Sequence, residues 1–85
     1  MSSPISFSCL ARVLGGLGCQ HTTVTGSHVS FEHAPSGALI VLRPYTDDET
    51  VSPTDLAVAR RTLDEFGVIS RDQFASLLRD EALAG

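Results

Sequence analysis

The sequence contains no lysine and no tryptophan, and its positive charge comes entirely from six arginines. Ten Asp and Glu residues outweigh them, so the formal net charge is −4. Nucleic-acid-binding domains usually carry a basic excess instead. The charge of the whole chain, taken alone, therefore argues against a nucleic-acid ligand.

Long hydrophobic runs are also missing from the sequence. The longest uninterrupted apolar stretch is residues 38–42, far short of the ~20 residues that a membrane-spanning helix needs. No basic segment precedes the apolar N-terminal stretch, so we expect no signal peptide and a cytoplasmic protein. Cys9 and Cys19 lack metal-ligand spacing, and we interpret them as reduced, partly buried thiols, although the sequence alone also allows a disulfide.

The length and composition are those of one small globular domain. The chain has 85 residues, of which 42% are hydrophobic and 19% charged. A chain of this length buries only a modest core, and this hydrophobic fraction excludes intrinsic disorder. We expect a single domain over residues 1–85, with a flexible tail at residues 1–4.

Apolar periodicity and turn residues predict an α+β fold with the element order α-β-β-β-α-α. Ser52 is the expected N-cap of the second helix, with Pro53 in its first turn and Asp55 completing a capping box. The predicted segments are a helix over 5–17, strands over 20–25, 28–33 and 38–43, an acidic loop over 44–51, and helices starting after Ser52 and Ser70. We expect the acidic loop to stay out of the core and the helices to cover one face of a three-stranded antiparallel sheet.

The turn sequences predict the strand register. Gly26 and Ser27 suit a two-residue type II′ turn, which would pair Thr25 with His28. The open face of the sheet would then hold His21, Thr23, Thr25, His28, Ser30 and Glu32. The opposite face would direct Val24, Val29 and Phe31 toward the helices. A four-residue turn at 34–37 would pair His33 with Ala38 and would place Arg43 beside His28.

A histidine beside an arginine on an open face suggests phosphodiester chemistry. The imidazole exchanges protons near neutral pH and the guanidinium binds phosphate. Polar residues on the solvent face are also normal for an antiparallel sheet, so from spacing alone an ordinary surface histidine is the simpler explanation. His21 would form a weak surface ion pair with Glu32, and His33 would have a structural role at a strand end. We expect no metal site, because the three histidines do not share ligand spacing on one face.

The order of these segments resembles the HicA (YcfA-like) toxin family of bacterial toxin–antitoxin systems. The resemblance covers residues 10–78. Its features are a glycine-terminated first helix, the Gly26-Ser27-His28 sequence between strands, a Pro-Ser-Gly turn before an aliphatic strand, and the closing helices with Ser52-Pro53-Thr54-Asp55 and Phe74-Ala75-Ser76-Leu77-Leu78. The family fold is similar to a double-stranded-RNA-binding domain, α-β-β-β-α, here with one additional helix.

The resemblance implies a small endoribonuclease that cleaves mRNA, with His28 as its catalytic residue and a HicB-type antitoxin as partner. We expect RNA contacts from Gly26, Ser27, Ser30 and Arg43, and no cofactor. The chain departs from the family's Lys-rich composition. Two other functions remain open: an RNA-binding module without catalysis, and a protein-interaction domain that docks through Leu39 and Val41.

The charge is unevenly distributed along the chain. Residues 1–45 contain Arg12 and Arg43 against Glu32, a net charge of +1, together with all three histidines. Residues 46–85 contain four arginines against nine acidic residues, a net charge of −5. The acidity therefore lies in the loop and the closing helices, so the net charge of the whole chain does not exclude RNA as a ligand of the sheet. This charge distribution predicts weak, salt-sensitive RNA binding to the sheet.

Overall fold

A computed structural model describes residues 5–24 and 28–84. Its elements follow the predicted order and are α1 (Phe7–Gly16), β1 (Gln20–Val24), β2 (His28–His33), β3 (Ala38–Leu42), α2 (Pro53–Glu65) and α3 (Arg71–Ala84). The strands form one antiparallel sheet in the order β1-β2-β3. The predicted α+β class and three-stranded meander are confirmed, whereas the predicted tail at residues 1–4 lies outside the described residues.

Helices α1 and α2 pack on one face of the sheet, and α3 packs on these two helices. Helix α1 contacts β1, and α2 contacts β3. Burial alternates along β3, so one face of that strand is covered and the other is open. The largest fully buried side chains lie between the layers: Phe31, Phe74, Leu10, Leu14, Ile40, Leu42, Leu63 and Val51. Within the described ranges, no helix is both long and apolar enough to cross a membrane.

The acidic loop is attached to the start of α1. Ser6 is the N-cap of α1 and its Oγ accepts a hydrogen bond from the Cys9 N–H at 3.2 Å. The backbone N–H groups of Phe7 and Ser8 donate to loop carbonyls, those of Glu49 at 2.8 Å and Asp47 at 3.1 Å. The first N–H groups of a helix have no partner within the helix, and the loop supplies two of those partners.

The expectation that this loop stays out of the core is wrong at its C-terminal end. Val51 is fully buried, and its N–H donates to the carbonyl of Ile5 at 2.8 Å. Asp47 and Asp48 remain exposed, as their charges require. The loop therefore faces solvent with its carboxylates and the core with its last apolar residue.

Two helices end in the same left-handed glycine motif. After α1, Gly18 has a φ of 96°, and the Cys19 N–H donates to the Leu14 carbonyl at 3.0 Å. After α2, Gly67 has a φ of 72°, and the Val68 N–H donates to Leu63 at 2.9 Å. Both are Schellman motifs, in which an apolar residue after the glycine returns the chain to the core.

The predicted N-cap of α2 is confirmed, but the predicted capping box is closed by a different residue. Ser52 is the N-cap and accepts from the Asp55 N–H at 3.2 Å, and Pro53 occupies the first turn. The Asp55 carboxylate does not complete the capping box directly. The Tyr45 hydroxyl stands between the two, accepting from the Ser52 N–H at 3.0 Å and donating to Asp55 Oδ2 at 2.5 Å. This tyrosine joins the loop to the helix.

Apolar residues at helical spacing predict the buried sides of the last two helices, and this prediction is partly confirmed. The predicted residues are Leu56, Ala59, Leu63 and Phe66 in α2, and Phe74, Leu77, Leu78 and Ala82 in α3. Ala59, Leu63, Phe74 and Leu78 are buried, and Leu56 packs against the core. Two of these residues are more exposed than predicted: Phe66 at 48% and Leu77 at 38%. Phe66 is the C-cap of α2, where the chain leaves the helix and the helical spacing no longer sets the direction of the side chain.

Candidate functional site

The pairing of β1 with β2 differs by one residue from the sequence prediction. Val24 pairs with His28, and Thr23 pairs with Val29. The predicted pairing of Thr25 with His28 is therefore wrong, because residues 25–27 connect the strands where a two-residue turn was expected. Those three residues, including the candidate RNA-binding Gly26 and Ser27, lie outside the described part of the chain.

A one-residue slip exchanges the two faces of a strand, and its consequence is clearest at His21. His21 pairs with Phe31, whose side chain is buried on the helix-covered face. The two rings are stacked, with 4.7 Å between centroids and an interplanar angle of 14°, and His21 also meets Phe7 edge-on at 5.9 Å. The predicted place of His21 on the open face beside Glu32 is wrong. The imidazole instead packs against aromatic residues at the edge of the core, while His21 remains exposed to solvent.

The pairing of β2 with β3 agrees with the prediction. His33 pairs with Ala38, Phe31 with Ile40, and Val29 with Leu42. The four-residue turn at 34–37 fixes this register, and Gly37 closes it with a φ of 80°. His33 has the structural role that was expected. Its Nδ1 and the Ser36 Oγ lie 2.8 Å apart in a hydrogen bond that braces the turn.

His28 stands on the open face of the sheet. It is the first residue of β2, it is exposed, and it alternates in direction with the buried Val29. Ser30 follows on the same face and is half-buried, with its Oγ donating to the Thr22 carbonyl at 3.3 Å. Among the described elements the helices cover the other face, so a ligand in solution can approach His28 and Ser30.

Beyond His28, the open face consists of two sets of cross-strand neighbours, each with one residue from every strand. Pairing places Ser30 between Thr22 and Val41, and Glu32 between Gln20 and Leu39. Leu39 is 53% exposed and Val41 47%, so β3 presents apolar side chains to solvent. The face thus has a histidine at one end and a carboxylate with apolar neighbours at the other.

Arg43 lies one residue beyond the pairing of Val29 with Leu42, at the end of the sheet that holds His28. The described ladder ends there, so the predicted pairing of His28 with Arg43 is not part of it. The guanidinium lies over the Tyr45 ring at 4.9 Å, and its Nε is 4.0 Å from Asp55 Oδ2. Its side chain is 65% exposed, which leaves guanidinium donors facing solvent.

The role of Tyr45 in supporting Arg43 was not predicted from the sequence. Its ring is stacked on Phe7 at 5.8 Å, its hydroxyl bridges Ser52 and Asp55, and it supports Arg43. No local spacing rule marks such a residue, because its partners come from other elements of the chain. The one signal in the sequence is that it is the only tyrosine, placed two residues after Arg43.

The two cysteines are buried and free. Burial raises the pKa of both thiols, and Glu81 adds to the effect at Cys9. The predicted partly buried, unpaired thiols are thus confirmed and are more enclosed than expected. Across residues 5–24 and 28–84, no three side chains of His, Cys, Asp or Glu come together as a metal-ligand set.

The chain was also compared with known proteins. No protein-family model, curated protein or solved structure matches it.

Proposed function

We propose that this chain is an endoribonuclease of the HicA type, the toxin of a toxin–antitoxin pair, acting on mRNA in the cytoplasm. The observation that carries the proposal is the place of His28. It directly follows Gly26-Ser27 in the sequence and stands exposed on the sheet face that the helices leave open. In this proposal the fold is a variant of the double-stranded-RNA-binding-domain arrangement in which α3 is an additional helix.

The chemistry needs one group that exchanges a proton at a phosphodiester. The His28 imidazole would accept the proton of a ribose 2′-hydroxyl, whose oxygen then bonds to the adjacent phosphorus. The bond from phosphorus to the 5′ oxygen breaks, and the imidazolium returns the proton to that oxygen. The products are a 2′,3′-cyclic phosphate and a 5′-hydroxyl, with no metal or cofactor in the step.

The transition state carries negative charge on the phosphoryl oxygens, which donors must stabilise. Arg43 follows β3 at the end of the sheet where β2 begins with His28, and its exposed guanidinium offers donors in a fork that fits two phosphate oxygens. Ser30 and the backbone of Gly26 and Ser27 are the further contacts that we propose for the RNA. The charge distribution supports RNA binding on the sheet, since residues 1–45 have a net charge of +1 whereas the whole chain has −4.

A protein-interaction module is the second candidate, and the exposure of Leu39 and Val41 is the observation that favours it. The same surface suits the HicB-type antitoxin of the first proposal. The two candidates differ in RNA cleavage, which only the first requires.

Induced expression in a bacterial host tests the toxin proposal. We expect the wild-type chain to arrest growth and to reduce intact mRNA, and we expect His28→Gln to abolish both effects. His21→Gln is the matched control, because it makes the same change on the opposite face of the sheet. Normal growth and intact mRNA with the well-expressed wild-type chain would overturn the proposal.

A further inference from the structure

The far end of the open face holds a carboxylate for which the proposed chemistry has no use. Glu32 is the only acidic residue of the three strands, and its side chain is exposed. The two residues paired with it, Gln20 and Leu39, are exposed as well. In the described part of the chain, no salt bridge involves Glu32.

The neighbours of Glu32 on β3 form a small apolar surface. Leu39 lies directly across from Glu32 and Val41 lies diagonally, and both are about half exposed. Cross-strand partners have Cβ atoms ~5 Å apart and diagonal ones ~7 Å apart, so these three side chains belong to one patch. An apolar surface with an acceptor at its border suits a flat ligand that has hydrogen-bond donors on its edge.

If RNA binds the open face, the distance of the Glu32 patch from His28 indicates which part of the RNA it contacts. Glu32 is four residues from His28 on one strand, a separation of ~13 Å, so it does not contact the phosphate at His28. Its negative charge repels other phosphates. The part of a neighbouring nucleotide that it accommodates is the base, which is flat and uncharged, and proteins read unstacked RNA bases in this way.

A carboxylate only accepts hydrogen bonds, so it discriminates among bases. Cytosine offers an amino group at the position where uracil has a carbonyl oxygen. We propose that Glu32 and Leu39 form a base-reading subsite that prefers a nucleotide with an exocyclic amino group, cytosine over uracil, next to the cleaved phosphodiester. This inference rests on the proposed function, because it takes the ligand of the open face to be single-stranded RNA.

Binding of two homopolymers isolates this contact. Short fluorescein-labelled oligocytidine and oligouridine are titrated with the full chain carrying His28→Ala, which removes the proposed cleavage, and anisotropy is recorded at low salt. We expect oligocytidine to bind about fivefold more tightly. Glu32→Gln should bring the ratio of the two affinities close to one, because glutamine donates to uracil as well as accepting from cytosine. Asp72→Asn is the control, since it removes one exposed carboxylate from α3 and should keep the preference.

The outcomes separate this inference from the proposed function. Equal binding of the two RNAs, or a preference that survives Glu32→Gln, overturns the base-reading subsite even where the wild-type chain cleaves RNA. A preference lost equally in Asp72→Asn also overturns it, because the cause would then be overall charge. Failure to bind either RNA, together with failure of the wild-type chain to cleave, rejects the proposed function and the subsite with it.

Discussion

The imidazole of His21 lies flat on the ring of Phe31, with 4.7 Å between the ring centroids. This contact places His21 on the helix-covered face of the sheet, the face opposite to that of His28. His21 belongs to the aromatic edge of the core, whereas His28 starts the next strand on the open face. Both histidines are exposed, so what separates them is the face of the sheet on which each one lies.

We predict that His21→Gln lowers stability without affecting RNA cleavage. The stacked pair with Phe31 and the edge contact with Phe7 are lost, and aromatic pairs contribute about 1 kcal/mol beyond the area that they bury. Urea unfolding measures the change in the free energy of unfolding. Unchanged stability would contradict the stacked arrangement, and His33→Gln serves as a comparison at a turn without aromatic contacts.

The Tyr45 hydroxyl should contribute more to stability than its half-exposed surroundings suggest. Tyr45→Phe keeps the ring on Phe7 but leaves the Ser52 N–H without its acceptor and Asp55 without its donor. We expect a loss of about 1–2 kcal/mol in the free energy of unfolding. Asp55→Asn retains an oxygen acceptor for the hydroxyl and should cost less. No loss in Tyr45→Phe, or a larger loss in Asp55→Asn, would contradict a stabilising role of the hydroxyl bridge.

Substitution of two glycines by alanine should have opposite effects on thermal stability. Gly67 has a φ of 72°, which an L-residue adopts only at a cost, so Gly67→Ala should lower stability by about 1 kcal/mol. Gly15 lies within α1 and a Cβ there meets no atom within 4 Å, so Gly15→Ala should raise stability by about 0.5–1 kcal/mol. Thermal unfolding followed by circular dichroism measures both. The same sign for both changes would contradict the assigned helix ends.

Stability should fall at alkaline pH because of the two thiols. Burial holds the pKa of Cys9 and Cys19 above the ordinary thiol value in the folded chain. The unfolded chain therefore loses these protons first as pH rises, and unfolding becomes more favourable above about pH 8.5. Urea midpoints of the wild-type chain and of a Cys9→Ala, Cys19→Ala variant, compared from pH 7 to about pH 10, measure this effect. A wild-type decline no steeper than that of the variant would exclude the thiols as its cause.

The sequence predicted those features of the fold that local residues determine. Ser52 and Pro53 mark the start of α2 by their own chemistry, and the four-residue turn fixes the pairing of His33 with Ala38. The first hairpin was predicted one residue out of register, because Gly26 and Ser27 suit a two-residue turn while three residues make the connection. Since side chains alternate, that single error placed His21 on the wrong face.

In the candidate site, too, features set by neighbouring residues in the sequence could be predicted and those set by tertiary contacts could not. The exposed position of His28 follows from the alternation along β2, which the burial of Val29 and Phe31 sets. The environment of Arg43 could not be predicted, because Tyr45 and Asp55 approach it through tertiary packing of the loop on α2. No sequence period encodes such a contact.

Cleavage of single-stranded RNA by purified protein tests the central claim most directly. We expect the wild-type chain to cut RNA in the presence of EDTA and to leave 2′,3′-cyclic phosphate ends, and we expect His21→Gln to cut at a similar rate. His28→Gln should fold as the wild type does and lose at least about 100-fold in rate, as expected for removal of a general acid–base group. Cleavage by His28→Gln at the wild-type rate, or intact RNA with the folded wild-type chain, would contradict the account.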